Sequence, residues 1–228
     1  MGNSMALAKF QISERSPEAL IATYYVDDPG AKSANTVRTV TLTSQSGAIT
    51  FPGCFKFEMP EQGGSSRTYE FDVKARGEAL LDIELRADEQ VICHGMGLRD
   101  DDHPTSFLVS WWWGEVVPAG IVKYKVIDGY TIAAHWTSVM SATTGDVEPK
   151  TGLATGPTVG GFPGSYSITY FGYGDATWGP FAWEIEERGD AFDLRWTQNG
   201  RRILNGFGFQ DPDNPDAIIV NYQGAQQA

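Results

Sequence analysis

The sequence predicts an all-β protein that folds as two tandem up-and-down antiparallel β-barrels related by internal duplication. Two observations predict this class: the second half of the 228-residue chain repeats motifs of the first half, and both halves contain short runs of alternating apolar and polar residues. A two-residue alternation is the pattern of half-buried strands. No segment long enough for a stable helix shows a convincing 3.6-residue period, so we expect little helix.

The repeat is visible as matched motifs at a constant separation. Phe51-Pro52-Gly53 recurs as Phe162-Pro163-Gly164, and Gly95-Met96-Gly97 recurs as Gly206-Phe207-Gly208, both 111 residues later. A self-similar spacing of this kind indicates that one structural unit occurs twice. The resulting division is an N-terminal segment 1–16, a first barrel repeat 17–113 and a second barrel repeat 118–223.

The early part of each repeat is matched less closely. Pro17–Asp28 aligns with Pro118–Gly129 at a shorter separation, which predicts a longer early loop in the second repeat. Only Gly114–Val117 separate the two repeats. Because so short a connection cannot act as a free tether, we expect the repeats to pack against each other with pseudo-two-fold symmetry.

The second repeat shows the strand pattern most clearly. Tyr166, Ile168 and Tyr170 alternate with small polar residues, and Asn199-Gly200 predicts a tight hairpin turn. Strands joined in this way form a meander, and closing the meander into a barrel removes the exposed sheet edges. A barrel of about eight strands has room for packed side chains or for one small ligand.

The stretch from Gly164 through Phe192–Trp196 to Gly206–Gly208 and Ile218–Tyr222 resembles the meander of calycin-type barrels, the lipocalin-like and avidin-like proteins. The resemblance implies a barrel that binds a small ligand in its interior. Barrels of the dirigent and allene-oxide-cyclase type are similar in outline, and some of their members are cofactor-free cyclases.

Charge and motif content exclude several classes of function. The 29 acidic residues outnumber the 17 basic ones and give a net charge of −12, which disfavours nucleic acid and anionic membranes as partners. We find no long apolar run and no signal-peptide pattern, so a cytoplasmic protein is expected. The phosphate-loop, dinucleotide and zinc motifs are missing, which predicts chemistry without a cofactor.

A polar residue is predicted at one equivalent inward position of each repeat. Alternation places His94 on the same face as Met96, and it places Asn205 on the same face as Phe207. We predict that this face lines the interior, where His94 would orient or protonate a ligand because imidazole titrates near neutral pH. The alternative is a core histidine whose hydrogen bonds are satisfied within the protein.

Aromatic side chains share the face predicted to point inward. Ligand pockets are typically apolar and aromatic with a few polar groups, although such residues also simply fill cores. The predicted ligand-binding residues are Tyr69, Met96, Trp111, Tyr166, Trp183, Trp196, Asn205, Phe207 and Tyr222. Trp112 turns to the opposite face, where we expect it to pack between the repeats or at the contact of a homo-oligomer.

Acidic residues cluster in two equivalent hairpin loops. Asp100-Asp101-Asp102 occupies the first loop, and Asp211, Asp213 and Asp216 occupy the second. Carboxylate clusters can hold calcium, but the spacing of known calcium loops is missing. We therefore expect solvated turns and no metal site.

Taken together, the sequence predicts that the chain binds a mostly apolar small molecule in one or both barrels. A cofactor-independent cyclisation or isomerisation, with His94 as the acid, is the leading hypothesis. The first alternative is a carrier or sensor that leaves its ligand unchanged. The second is an interaction module whose barrels are packed solid.

Overall fold

A computed structural model of the chain describes residues 5–27, 36–60, 66–112, 119–172 and 175–225. Strands dominate these ranges, and they form two eight-stranded antiparallel sheets, one from each half of the chain. The prediction of two tandem antiparallel barrels is confirmed. In the described ranges, no helix is long and apolar enough to cross a membrane.

The first sheet is a nearly closed barrel. Its spatial order is β3-β2-β1-β8-β7-β6-β5-β4. Its two edge strands, β3 and β4, approach each other where the backbone N–H of Gln45 donates to the backbone carbonyl of Lys56 at 2.8 Å. Its strands are β1 (Met5–Ser13), β2 (Ser16–Asp27), β3 (Arg38–Thr43), β4 (Gly53–Pro60), β5 (Ser66–Arg76), β6 (Leu80–Ala87), β7 (Gln90–Arg99) and β8 (Ser106–Trp112).

The second sheet is a closed barrel, in which β9 pairs with both β10 and β16. A short helix, α1 (Val139–Thr144), follows β10. The strands are β9 (Ala119–Val126), β10 (Thr131–Ser138), β11 (Lys150–Thr155), β12 (Gly164–Phe171), β13 (Thr177–Arg188), β14 (Ala191–Gln198), β15 (Arg201–Gln210) and β16 (Ala217–Gly224).

The first repeat begins earlier in the structure than the repeated motifs indicated. Most of the segment 1–16 forms β1, which pairs with β2 on one side and β8 on the other. Strand β9 likewise pairs with the strand that follows it, β10, and with the last strand of its barrel, β16, so β9 corresponds to β1. The alignment of Pro17–Asp28 with Pro118–Gly129 is therefore wrong, because it matches β2 with β9. The connection Gly114–Val117 and Trp113 lie outside the described residues.

Each barrel has its own apolar interior. In the first barrel the interior includes Phe10, Phe55, Phe57 and Phe71, whose contacting rings have centroid distances of 5.3–6.1 Å. In the second barrel Trp183 and Trp196 are fully buried and lie 6.0 Å apart. Aromatic side chains bury large apolar areas, so these residues contribute strongly to the stability of the two barrels.

A third apolar cluster lies between the barrels. Trp112 is 6% exposed and belongs to this cluster, which confirms that it packs between the two repeats. The rings of Tyr25 and Phe207, from opposite repeats, lie 5.3 Å apart. Because the contact is apolar and buried, the two barrels form one packed unit.

A buried ion cluster crosses the same interface, which corrects the expectation of solvated acidic turns. Lys9 on β1 contacts Asp211 at 2.6 Å and Asp213 at 2.9 Å, both from the second repeat, and Asp100 of its own repeat at 2.8 Å. The Lys9 side chain is 2% exposed, and those of Asp100 and Asp211 are fully buried. The sequence could not indicate this arrangement, because each lysine meets carboxylates of the other repeat only once the two barrels pack together, and Lys9 and Asp211 are 202 positions apart.

Lys123 on β9 makes the equivalent contacts from the second repeat. It pairs with Asp100 and, at 2.9 Å, with Asp102 of the first repeat, and with Asp211 of its own repeat at 3.3 Å. Each lysine therefore bridges the acidic loop of its own repeat and that of the other. Such reciprocal ion pairs are expected where two repeats are related by a pseudo-two-fold axis, as the sequence predicted.

The glycine pairs of β7 and β15 allow close approach of the backbone to neighbouring groups. A Cβ atom at Gly206 would lie 2.6 Å from the Asn221 carbonyl oxygen and 3.0 Å from the Trp196 ring. The absence of a side chain at Gly206 thus creates the space that the Trp196 indole fills inside the barrel.

Candidate functional site

The closed barrel contains an apolar cavity of about 260 Å³. Every residue that lines it is aromatic or aliphatic, and they come from strands on several sides of the barrel. The lining consists of Trp136, Tyr170, Trp178, Phe181, Ile203, Leu204 and Tyr222. A half-open space of this composition is suited to an apolar small molecule.

A β-bulge places two consecutive residues of β15 against this cavity. Trp196 pairs with Leu204, and the next residue, Thr197, pairs with Arg202, so Ile203 has no partner of its own on β14. Both Ile203 and Leu204 then contact the apolar interior. An extra residue in one strand reverses the inward and outward alternation beyond it.

The mouth of the cavity is formed by two indole rings and a lysine. Trp136 and Trp178 meet edge to face at a centroid distance of 5.8 Å, and Trp178 is 43% exposed. The Lys150 ammonium lies 5.2 Å from the Trp136 ring centre and 5.7 Å from that of Trp178. Trp136 is held by a hydrogen bond from Nε1 to the Thr151 carbonyl at 2.9 Å. The partly exposed Trp178 therefore lies where a ligand would enter.

The inner end of the cavity adjoins a hydrogen-bonded group of aromatic residues. The hydroxyls of Tyr124 and Tyr170 are 2.5 Å apart, and the Trp196 Nε1 donates to the Tyr170 hydroxyl at 2.7 Å. Burial raises the pKa of Tyr124, Tyr170 and Tyr222 above the ordinary tyrosine value. These hydroxyls therefore stay neutral at physiological pH, and the lining carries no negative charge.

The first barrel contains a second apolar cavity, also of about 260 Å³. Its lining is again aromatic and aliphatic and comprises Phe10, Ala22, Tyr24, Val26, Val40, Leu42, Phe57, Tyr69, Leu85, Ile92 and Trp111. Two of these positions, Leu85 and Ile92, are equivalent to Trp196 and Ile203 of the second barrel. The interiors of the two barrels therefore use equivalent strand positions but contain different side chains at some of them.

Six of the predicted ligand-binding residues point into a barrel. Tyr69 and Trp111 line the cavity of the first barrel, and Tyr222 lines that of the second. Tyr166, Trp183 and Trp196 are buried more deeply, in the core of the second barrel. The alternation of apolar and polar residues identified their orientation, but it could not separate cavity walls from solid core.

The other four predicted site residues lie outside the barrels, so their predicted inward orientation is wrong. His94 is exposed on the outer face of β7, and Asn205 is half-buried on the outer face of β15. Met96 and Phe207 belong to the cluster between the barrels. The cause in β7 is a bulge like that of β15, because Leu85 pairs with Cys93 while Arg86 pairs with Val91. This bulge turns Cys93, rather than His94, toward the interior.

Several cavity residues were missed as site residues. Tyr170 and Phe181 follow the inward alternation of their strands, so a signal for them was present. The bulge that adds Leu204 beside Ile203 has no clear sequence marker. Trp136 and Trp178 lie where the local pattern is irregular, and Trp178 pairs with Tyr170 only after a register shift in β12.

A metal ion does not fit the acidic cluster at the interface. Oxygen atoms of Asp100, Asp102 and Asp211 lie within 4.8 Å of one another, which is a ligand-like spacing. However, the ammonium groups of Lys9 and Lys123 bind these same carboxylates at hydrogen-bond distance. The lysines therefore supply the positive charge that a cation would otherwise provide.

These observations define the chain as a double β-barrel protein with an apolar, aromatic-lined cavity in each barrel. No family model, no curated protein and no solved structure matches the chain.

Proposed function

We propose that the protein binds a mostly apolar small molecule in the cavity of the closed second barrel and acts as a carrier or sensor. The observation that supports this most directly is the cavity itself, whose lining is wholly aromatic and aliphatic. Its volume of about 260 Å³ lies slightly below the range of roughly 300–1,000 Å³ found for ligand pockets. The ligand should accordingly be small, of the size of a compound with two or three aromatic rings.

The geometry favours binding over turnover. His94, the acid of the hypothesised cyclisation or isomerisation, lies outside the barrel. The hydroxyl-bearing residues of the lining, Tyr170 and Tyr222, have pKa values raised by burial, so neither becomes a base near neutral pH. A module with solid barrels is disfavoured by the cavities that both barrels contain.

Equivalent isoleucines of the two barrels allow a matched test of the proposal. Ile203 lines the second cavity, and Ile92, at the equivalent position, lines the first. The Ile203→Trp substitution should fill the second cavity and weaken binding of the neutral fluorophore N-phenyl-1-naphthylamine at least tenfold. The Ile92→Trp substitution should change the affinity less than twofold. Urea unfolding of both variants checks that each remains folded.

Two outcomes would contradict the proposal. The first is that the wild-type protein shows no saturable fluorescence increase with this probe. The second is that Ile92→Trp abolishes binding while Ile203→Trp does not. For the choice between carrier and enzyme, a natural ligand extracted from the purified protein is incubated with it again and analysed by mass spectrometry. If the protein is a carrier, the recovered ligand has an unchanged mass and an unchanged chromatographic retention. If it is an isomerase or cyclase, the retention of the recovered ligand changes.

A further inference from the structure

A polar groove of about 240 Å³ lies on the outer face of the second barrel, away from the apolar cavity. Its walls come from three adjacent strands, β14, β15 and β16. The lining residues are Asp193, Leu194, Arg195, Arg202, Asn205, Gly206, Phe207, Asn221 and Gln223. In contrast to the cavity, most of these side chains carry hydrogen-bonding or charged groups.

The strand register aligns the groove side chains in two rows. Arg195 pairs with Asn205, which pairs in turn with Gln223. The second row runs from Asp193 through Phe207 to Asn221 in the same way. Directly opposed residues of antiparallel strands have Cβ atoms about 4.5–5.5 Å apart, so the three polar ends of the first row lie side by side.

One equivalent position of the first repeat carries a larger side chain. Trp112 stands where the second repeat has Gln223, and it is buried to 6% exposure in the cluster between the barrels. Gln223 is only half-buried. The shorter amide therefore leaves open a space that the indole fills in the first repeat.

The two repeats also differ in charge at this face. Glu84 and Val91 of the first repeat correspond to Arg195 and Arg202 of the second, at the constant separation of 111 residues. The duplicated face has thus changed from acidic and apolar to basic and amide-rich. In a chain with a net charge of −12, this groove brings two arginines together beside one carboxylate, Asp193, which pairs with Arg188 at 3.4 Å.

The two arginines differ in their partners. Both terminal nitrogens of Arg195 donate to Glu186, at 2.9 and 2.8 Å, which neutralises its charge and fixes its orientation. Arg202 is exposed, and it has no ion-pair partner among the residues that the structure describes. The positive charge that remains available to a ligand is therefore that of Arg202.

We propose that this groove binds a small organic anion that carries hydroxyl groups. The anionic group, a carboxylate or a phosphate monoester, pairs with the Arg202 guanidinium. The hydroxyl groups exchange hydrogen bonds with the side-chain amides of Asn205 and Gln223, which both donate and accept. This site is separate from the apolar cavity and does not depend on the function proposed for it.

Isothermal titration calorimetry with gluconate, glucose 6-phosphate and neutral glucose tests the proposal. We expect at least one of the two anions to bind with a stoichiometry near one and at least tenfold more tightly than glucose. Arg202→Val, which restores the residue of the first repeat, should weaken that binding at least tenfold. Arg201→Val removes the same charge from a neighbouring exposed residue outside the groove and should change the affinity less than twofold.

The Gln223→Trp variant, which copies Trp112, should abolish binding by filling the groove, and its urea unfolding curve reports whether it folds. The relative affinities of gluconate and glucose 6-phosphate distinguish a carboxylate ligand from a phosphate ligand. Three results would overturn the proposal: neither anion binds saturably, glucose binds as well as the anions, or Arg201→Val and Arg202→Val weaken binding equally. Equal weakening would mean a diffuse attraction of anions rather than a site.

Discussion

Asn221 donates a hydrogen bond to the hydroxyl of Ser110, and these two residues occupy equivalent positions of the two repeats, 111 residues apart. Equivalent residues can contact each other only close to the axis that relates the repeats. The pseudo-two-fold axis therefore passes beside β8 and β16, and both side chains are fully buried there. The two barrels meet as the subunits of a symmetric dimer do, although they belong to one chain.

The buried lysines should matter far more to stability than exposed ones. Lys9→Met leaves the carboxylates of Asp100 and Asp211 with one ammonium group between them, and removing one partner of a buried ion pair costs about 3–5 kcal/mol. The matched control is Lys56→Met, because Lys56 pairs with Glu70 at 3.1 Å but is 52% exposed. Urea unfolding should show a large loss for Lys9→Met and little change for Lys56→Met. Similar losses in the two variants would contradict a stabilising role of the buried cluster.

Acid should destabilise the protein through this same cluster. Burial opposes ionisation of Asp100, but hydrogen bonds from Lys123 and Lys9 outweigh it and lower the pKa. Hydrogen bonds from Lys125 and Lys123 lower the pKa of Asp102. Folded-state pKa values below the unfolded value of about 3.9 give stability that is complete above that value and is lost as pH falls through the folded-state values.

Asp102→Asn provides the test of this pH dependence. The variant should be less stable than the wild type at pH 7, and the difference should shrink as the pH falls below about 4, because the unfolded wild-type chain then binds a proton at Asp102 that the folded protein does not bind. Urea midpoints at several pH values measure both curves. Parallel curves over this range would exclude Asp102 as a source of the acid sensitivity.

A side chain at Gly120 should disturb the second barrel. A Cβ atom there would clash with the Tyr222 ring and would lie against the Thr137 carbonyl. Gly120→Ala should therefore cost about 1–3 kcal/mol by overpacking, and it should also weaken ligand binding, since Tyr222 lines the cavity. Gly129→Ala is the control, because nothing lies within 4 Å of that position. Unchanged thermal stability of Gly120→Ala would show that Tyr222 moves aside freely.

The Tyr170 hydroxyl should contribute to stability through its two partners. Tyr170→Phe keeps the ring but leaves the buried Trp196 Nε1 and the Tyr124 hydroxyl without this partner, at a cost of about 1–3 kcal/mol. Tyr130→Phe removes the same atom from a residue that is 60% exposed and should have almost no effect. Chemical denaturation of the two variants measures the difference. If Tyr170→Phe is as stable as the wild type, the hydrogen bonds in this group do not stabilise the fold.

Sequence reasoning identified the inward face wherever the strands are regular. Tyr166, Trp183 and Trp196 point inward as alternation requires, since each step along a strand reverses the side-chain direction. It placed His94 and Asn205 on the wrong face because β7 and β15 each contain a bulge upstream of these residues. A bulge inserts one residue into a strand without requiring a particular residue type, so the apolar and polar alternation does not indicate where it occurs.

The amino-acid sequence by itself determined the class of fold, the duplication and the aromatic content of the barrel interiors, because strand alternation and repeat spacing are local properties of the chain. Only the tertiary structure decided which aromatic residues surround a cavity, and that Lys9 and Lys123 bind carboxylates of the opposite repeat. Those relationships join residues such as Lys9 and Asp211 that are 202 positions apart. They exist only once the two barrels have closed and packed together, because the free energy of each contact depends on burial that no single segment provides.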